Sequence, residues 1–247
     1  MTSVAIFFLS LTPPLHYNLR MPTNEDAIRI DRLVRSKRRT LALQIDAGGR
    51  LIVRAPQRMP LRDIERHVQA RADWIRKHQQ HFRARPAPEH HYQPGERFPY
   101  LGAEYPLALV ETARPALALI DGVFCLSRAA LPRAGQVFTA WYRARAREVF
   151  TRRAGEHARR VGVSFENLRV SSARTRWGSC SNQRTLSFTW RLVMAPPEAI
   201  DYVVIHELAH LQVRGHSRDF WALVARWMPA WQPAAAWLKE NGYKLSL

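Results

Sequence analysis

Apolar residues alternate with polar ones over Ile30–Val34, Leu41–Ile45 and Leu51–Val53, a period of two that predicts half-buried strands. Ser36-Lys37-Arg38-Arg39 and Ala47-Gly48-Gly49 separate them, the second being a hairpin-turn signal. The period then changes. Pro60 opens a segment in which Leu61, Ile64, Val68, Ala72 and Ile75 recur at helical spacing, which predicts one helix over Leu61–Phe82 with an Arg-rich outer face. The Pro-rich, polar stretch 84–97 reads as a linker or long loop. His90 and His91, adjacent on it, make a poor metal pair. Short strands are expected at Pro99–Leu101, Tyr105–Glu111, Ala116–Ile120 and Val123–Leu126, with Asp121-Gly122 as a tight turn.

Helical periodicity returns at Val137–Val161, where Phe138, Tyr142, Val149, Phe150 and Ala154 mark an apolar face and seven arginines a basic one. His157 on this helix reads as packed or exposed rather than as a ligand. Leu168–Ser172 and Leu186–Trp190 read as neighbouring strands of a hairpin, with Gly178 allowing a tight turn between them and Trp177 as an aromatic plug. Pro196-Pro197 starts a further helix that should stop near Val213. Ser217 is placed to cap Arg218–Trp227, and Gln232–Asn241 forms a last helix before Gly242. The pattern is that of an α+β protein. Residues 1–27 are expected to be a poorly ordered extension, 28–130 a β-rich subdomain with one long helix, and 131–247 a second domain.

Length and composition refine this only in part. A chain of 247 residues with 47% hydrophobic content can bury a core in one large or two small domains. No stretch approaches 18 consecutive apolar residues, so no membrane span is expected. Met1–Leu11 has a short apolar run without a basic start or a cleavage site, and Met21 is the favoured natural start, leaving the first 20 residues dispensable. Cys125 and Cys180 form neither a disulfide framework nor a C-x-x-C pair, which fits a reducing, cytoplasmic setting. The net charge of +18 changes the picture more. Arginine replacing lysine has a compositional explanation, but the shortage of Asp and Glu does not follow from it. Nucleic acid is therefore a candidate partner, weighed against a generally basic surface.

The chemistry is concentrated in Ile200–His216. His206-Glu207-Leu208-Ala209-His210 is an H-E-x-x-H pattern, set among apolar residues that predict a buried helix. Positions four apart on a helix differ by roughly 40° and one turn, so the two imidazoles project side by side. Two nitrogens so placed suit one zinc ion at about 2.0–2.1 Å each. Glu207, roughly 100° round the helix, can reach a water at the metal without being a ligand. His216, preceded by Gly215, needs only one chain reversal to supply a third nitrogen. Asp219 and Glu240 are alternative third ligands. Asp219 suits better a supporting role beside a ligand imidazole.

Thr175–Cys180, Trp190–Pro196, Asp201–Val204, His206–Leu211, His216-Ser217 and Phe220-Trp221, together with Val34–Thr40 and Ala70–Ile75, closely resemble the YgjP-like zinc metallopeptidase family. The likeness runs from Ile28 to Gly242. That family is grouped with the zincin-type peptidases and looks related to the WLM and SprT-like proteases that act on DNA-crosslinked proteins. The resemblance implies a zincin-like catalytic domain, one Zn2+ held by His206, His210 and His216, Glu207 as general base, and a peptide or protein substrate. Thr189 stands where many relatives carry Asn. Arg174, Arg176, Trp177 and Thr189 are the candidate substrate-binding residues, and the Leu186–Trp190 strand is expected to line the cleft. Two rival functions keep the metal: a protease acting on DNA-bound proteins, and a hydrolase of nucleotide phosphoanhydrides that would use Arg174 and Arg176. A non-catalytic binding module leaves Glu207 without a task.

Overall fold

The computed structural model describes residues 6–9, 28–46, 48–84, 88–112 and 114–247. They divide into two compact units at Ala87/Pro88, not at the expected 130/131. The reason is packing. Phe98, Leu107, Phe124 and Leu126 share one buried cluster with the later helices, while Leu43, Val53, Ile64, Val68 and Ile75 form a separate one.

The N-terminal unit is a four-stranded sheet, in the order β1-β3-β4-β2, with two helices. Its strands are β1 (Ile6–Leu9), β2 (Arg32–Ser36), β3 (Leu41–Ile45) and β4 (Leu51–Pro56). β3 and β4 pair antiparallel, as the Gly48-Gly49 turn predicts, and β2 runs parallel to β4. Residues 6–9, expected in a disordered extension, add an edge strand antiparallel to β3. The rest of that extension, and with it the favoured start at Met21, lies outside the described residues. The single helix predicted for Leu61–Phe82 is two: α1 (Leu61–Gln69) and α2 (Ala72–Arg83). At the break the Arg71 N–H donates to Val68 O three residues back, so the turn tightens without a Pro or Gly to announce it.

The second unit begins with β5 (Arg97–Tyr100), β6 (Ala103–Val110), β7 (Leu117–Ile120) and β8 (Val123–Ser127), ordered β5-β6-β8-β7. Asp121 and Gly122 both take positive φ, 47° and 78°, the conformation of a tight two-residue hairpin turn. The long helix α3 (Ala134–Val161) buries Phe138, Tyr142, Phe150 and Ala154. It ends at Gly162, whose left-handed φ of 73° lets the Val163 N–H reach back to Ala158 O at 3.0 Å. A three-stranded sheet follows, of β9 (Asn167–Ser171), β10 (Gly178–Cys180) and β11 (Thr185–Thr189), and then α4 (Pro197–Ala209), α5 (Arg218–Trp227) and α6 (Trp231–Asn241). Among the described residues no helix is long and apolar enough to cross a membrane.

Here the structure corrects the expected hairpin. β9 and β11 are parallel neighbours; the hairpin is β10–β11, closed by a turn in which Arg184 N–H donates to Ser181 O and Arg184 takes φ of 54°. The sheet order is β10-β11-β9, so Gly178 lies in an edge strand and not in a turn.

Two contacts fix α4. Leu101 and Gly102 N–H groups donate to Val193 and Met194 carbonyls just before the helix, and a Cβ on Gly102 would lie 2.8 Å from Pro196 Cα. On the helix itself, Asp201 accepts from Arg153 at 2.6 Å and from His157 Nε2 at 2.9 Å, tying α4 to α3. Burial would raise the Asp201 carboxyl, but the hydrogen bonds from His157 and Arg153 outweigh it and hold its pKa below the usual value. A depressed carboxyl contributes stability above its unfolded pKa and loses it as pH falls through the folded one. Asp201→Asn is therefore expected to cost about 2 kcal/mol at pH 7, the scale of a charge-assisted hydrogen bond. The difference from the parent should shrink as pH is lowered below ~4. Urea unfolding at the two pH values checks it, and a pH-independent difference would refute it.

Candidate metal centre

α4 carries Ile200, Val204, Ile205, Leu208 and Ala209 into the core and leaves His206 and His210 facing a cleft. The helix ends at Ala209, earlier than the expected Val213. His210 is thus its C-cap, and the Val213 N–H donates to Ala209 O at 2.9 Å. Gly215, at φ 76°, then turns the chain so that His216 comes back over the helix end. The result is a cluster in which one ligand nitrogen each of His206, His210 and His216 lies within 4.8 Å of the others. His206 Nε2 and His216 Nε2 are 3.0 Å apart, close to the ~3.3 Å expected between two nitrogens on a tetrahedral zinc.

The donor chemistry fits a cation. Val213 O, 3.2 Å from His210 Nδ1, can only accept, so Nδ1 carries the proton and Nε2 keeps its lone pair. His206 is pushed down to a pKa of about 3, first by burial and then by the neighbouring His210 and His216. Burial likewise lowers His210 and His216. Three neutral imidazoles are what a zinc site requires. His206 packs against Phe220 and His216 stacks on Trp221, so α5 supports the rings from the far side.

Glu207 is 5% exposed and its Oε2 has no hydrogen-bond partner. Burial pushes its pKa up to about 8, with Arg176 pulling the other way. β10 lies directly against it. A Cβ on Gly178 would sit 2.6 Å from Glu207 Oε1 and 2.7 Å from its Cγ. Only glycine leaves room for this carboxylate at the strand edge. Cys180, two residues on, also faces the cleft, and burial raises its thiol pKa.

A sequence model of the YgjP-like metallopeptidase domain matches residues 39–241. The chain belongs to the YgjP-like family. The match takes in both compact units and begins at Arg39, so the likeness noted at Val34–Arg38 falls outside it. No curated protein and no solved structure matches. Family membership makes this a metallopeptidase, with peptides or proteins as its substrate class.

Within this YgjP-like domain the predicted binding residues part company. Arg176 and Trp177 line the cleft, a cavity of about 1000 Å³. Arg174 is exposed and away from it. Thr189 is buried, 2% exposed, where its hydroxyl donates to Ala173 O at 2.8 Å and its N–H to Trp177 O; it braces the segment before β10 and does not face the cleft. The strand bordering the cleft is β10, since β11 has a neighbour on each side. Asp219 and Glu240 are exposed and stand outside the histidine cluster. The support expected of Asp219 comes to His210 from the Val213 carbonyl. Sequence reasoning missed Gly178 as a neighbour of Glu207 and Tyr202 and Trp221 as cleft walls. Tyr202 could have been found: it lies one helical turn before His206, on the same face.

Proposed function

We propose that the site holds one Zn2+ per chain through His206, His210 and His216, in a zincin-like catalytic domain that hydrolyses peptide bonds with Glu207 as general base. The convergence of three imidazole nitrogens within 4.8 Å carries this assignment. Zinc in such a site lowers the pKa of water toward neutrality and polarises a carbonyl. Glu207 takes the proton of the attacking water and passes it to the leaving amine. Burial raises its proton affinity from the usual carboxylate range toward neutral pH, where a general base works best. β10, with one edge unpaired, receives the substrate as an added strand, so backbone hydrogen bonds position the scissile bond.

The ligand set is testable by metal analysis. His216→Ala is expected to lose zinc stoichiometry and Asp219→Ala to keep it; the opposite pair of results would sink the three-histidine assignment. Casein-like peptides and nucleoside triphosphates assayed on the same zinc-loaded protein separate peptide hydrolysis from cleavage of a phosphoanhydride. Turnover of the peptides is the expected result.

A further inference from the structure

We propose that the outward face of the β9–β10–β11 sheet is an extended subsite that holds acidic side chains at alternate positions of a peptide substrate. The proposal rests on the peptidase assignment and adds a substrate class to it.

Side chains alternate along a strand. Gly178 faces Glu207, so its neighbour Ser179 points to the opposite face of the sheet. The register continues that face across the strands: Ser179 lies opposite Ser187, Ser187 opposite Arg169, and Thr185 opposite Asn167. The intervening Leu186 and Phe188 are buried inward. The outward face carries a groove of about 480 Å³, lined entirely by hydroxyl, amide and guanidinium side chains. Arg176, Ser179 and Ser181 line both this groove and the metal cleft, so the two are continuous across β10.

The groove is built of donors. The guanidinium groups of Arg169 and Arg176 make no hydrogen bond or ion pair among the described residues. Across groove and cleft together, the one carboxylate is Glu207. A guanidinium and flanking hydroxyls match a carboxylate in charge and geometry. A peptide paired to β10 in extended form sends every second side chain into the metal cleft and the others over the Ser179 row. A phosphodiester chain would satisfy the charge but has no N–H and C=O ladder to pair with the strand edge, which favours the acidic peptide.

The test is a glutamate scan. A neutral peptide that the zinc-loaded full chain cleaves is given Glu in place of Gln at one flanking position at a time. kcat/KM is expected to rise roughly two- to fivefold at alternate positions and to stay level between them, the worth of an exposed charge pair. The gain should vanish in 0.5 M salt, where the screening length falls to roughly 4 Å. Arg169→Gln is expected to abolish the gain at one of the alternate positions and Arg169→Glu to turn it into a loss there, Arg176 still serving the others, with circular dichroism confirming that both variants fold. Gains unchanged at every position in both variants would overturn the subsite. Equal effects at every position, or none, on a peptide that is still cut would overturn the subsite and leave the peptidase assignment standing. Failure to cut any peptide would overturn both. If a single-stranded oligonucleotide inhibits through Arg169 while Glu has no effect, the groove is a nucleic-acid site and the proposal is wrong.

Discussion

Glu207→Gln is expected to lower peptide hydrolysis by about 10²–10⁴-fold, the contribution of a positioned general base, while leaving one zinc per chain. Gln has nearly the same volume and fills the same buried space beside Gly178. It removes a carboxyl whose ionisation burial opposes, a cost the unfolded chain does not bear: Glu207 is 5% exposed, has an oxygen without a partner, and its pKa is pushed up to about 8. Burying an unpaired polar group costs roughly 1–3 kcal/mol and a charge more. The variant should therefore be at least as stable as the parent in its metal-free form. Activity on a fluorogenic peptide, zinc by atomic absorption and thermal unfolding are the three readouts. Undiminished turnover would remove Glu207 from the chemistry; lost zinc would make it part of the metal cage instead.

The second large effect is expected at a residue that carries no functional group. Gly178→Ala puts a methyl 2.6 Å from Glu207 Oε1, 2.7 Å from Cγ and 2.9 Å from Cδ, so the conflict runs along the side chain and not only at its tip. Either β10 moves outward or Glu207 swings away. Both displace the base relative to a substrate paired with β10, and a shift near 1 Å costs about 10²-fold. No histidine atom is among the three nearest to a Cβ at Gly178, so the proposed ligands His206, His210 and His216 should keep the metal. Overpacking of this kind costs typically 1–3 kcal/mol, seen as a modest fall in Tm. A Gly178→Ala protein with the parent kcat would mean that the strand and the carboxylate are not coupled as described.

The local features of this protein were readable before its long-range ones. H-E-x-x-H needs only helical period and apolar flanks, and α4 delivers both histidines to one cleft. Gly215 announces the reversal that returns His216 because a left-handed residue favours glycine. The errors share a different cause. Strand pairing is decided by partners far apart in the chain, so Leu168–Ser172 and Leu186–Trp190 could be recognised as strands but not as parallel ones. That single ambiguity misplaced Gly178 in a turn and put β11 at the cleft in place of β10; Thr189, singled out by the family resemblance, faces Ala173 O instead. The domain boundary failed similarly. The change from strands to helix near residue 130 is local, whereas the core that joins Phe98 and Phe124 to Phe138 is not.

The Val213 carbonyl that orients His210 belongs to the main chain. Every amino acid at position 213 carries a carbonyl oxygen, so truncating the Val213 side chain leaves the acceptor for His210 Nδ1 in place so long as the turn is kept. What heredity must preserve is the tight turn from Leu211 to Val213 and the glycine that follows it at 215. One support of this centre is thus stored in the path of the backbone.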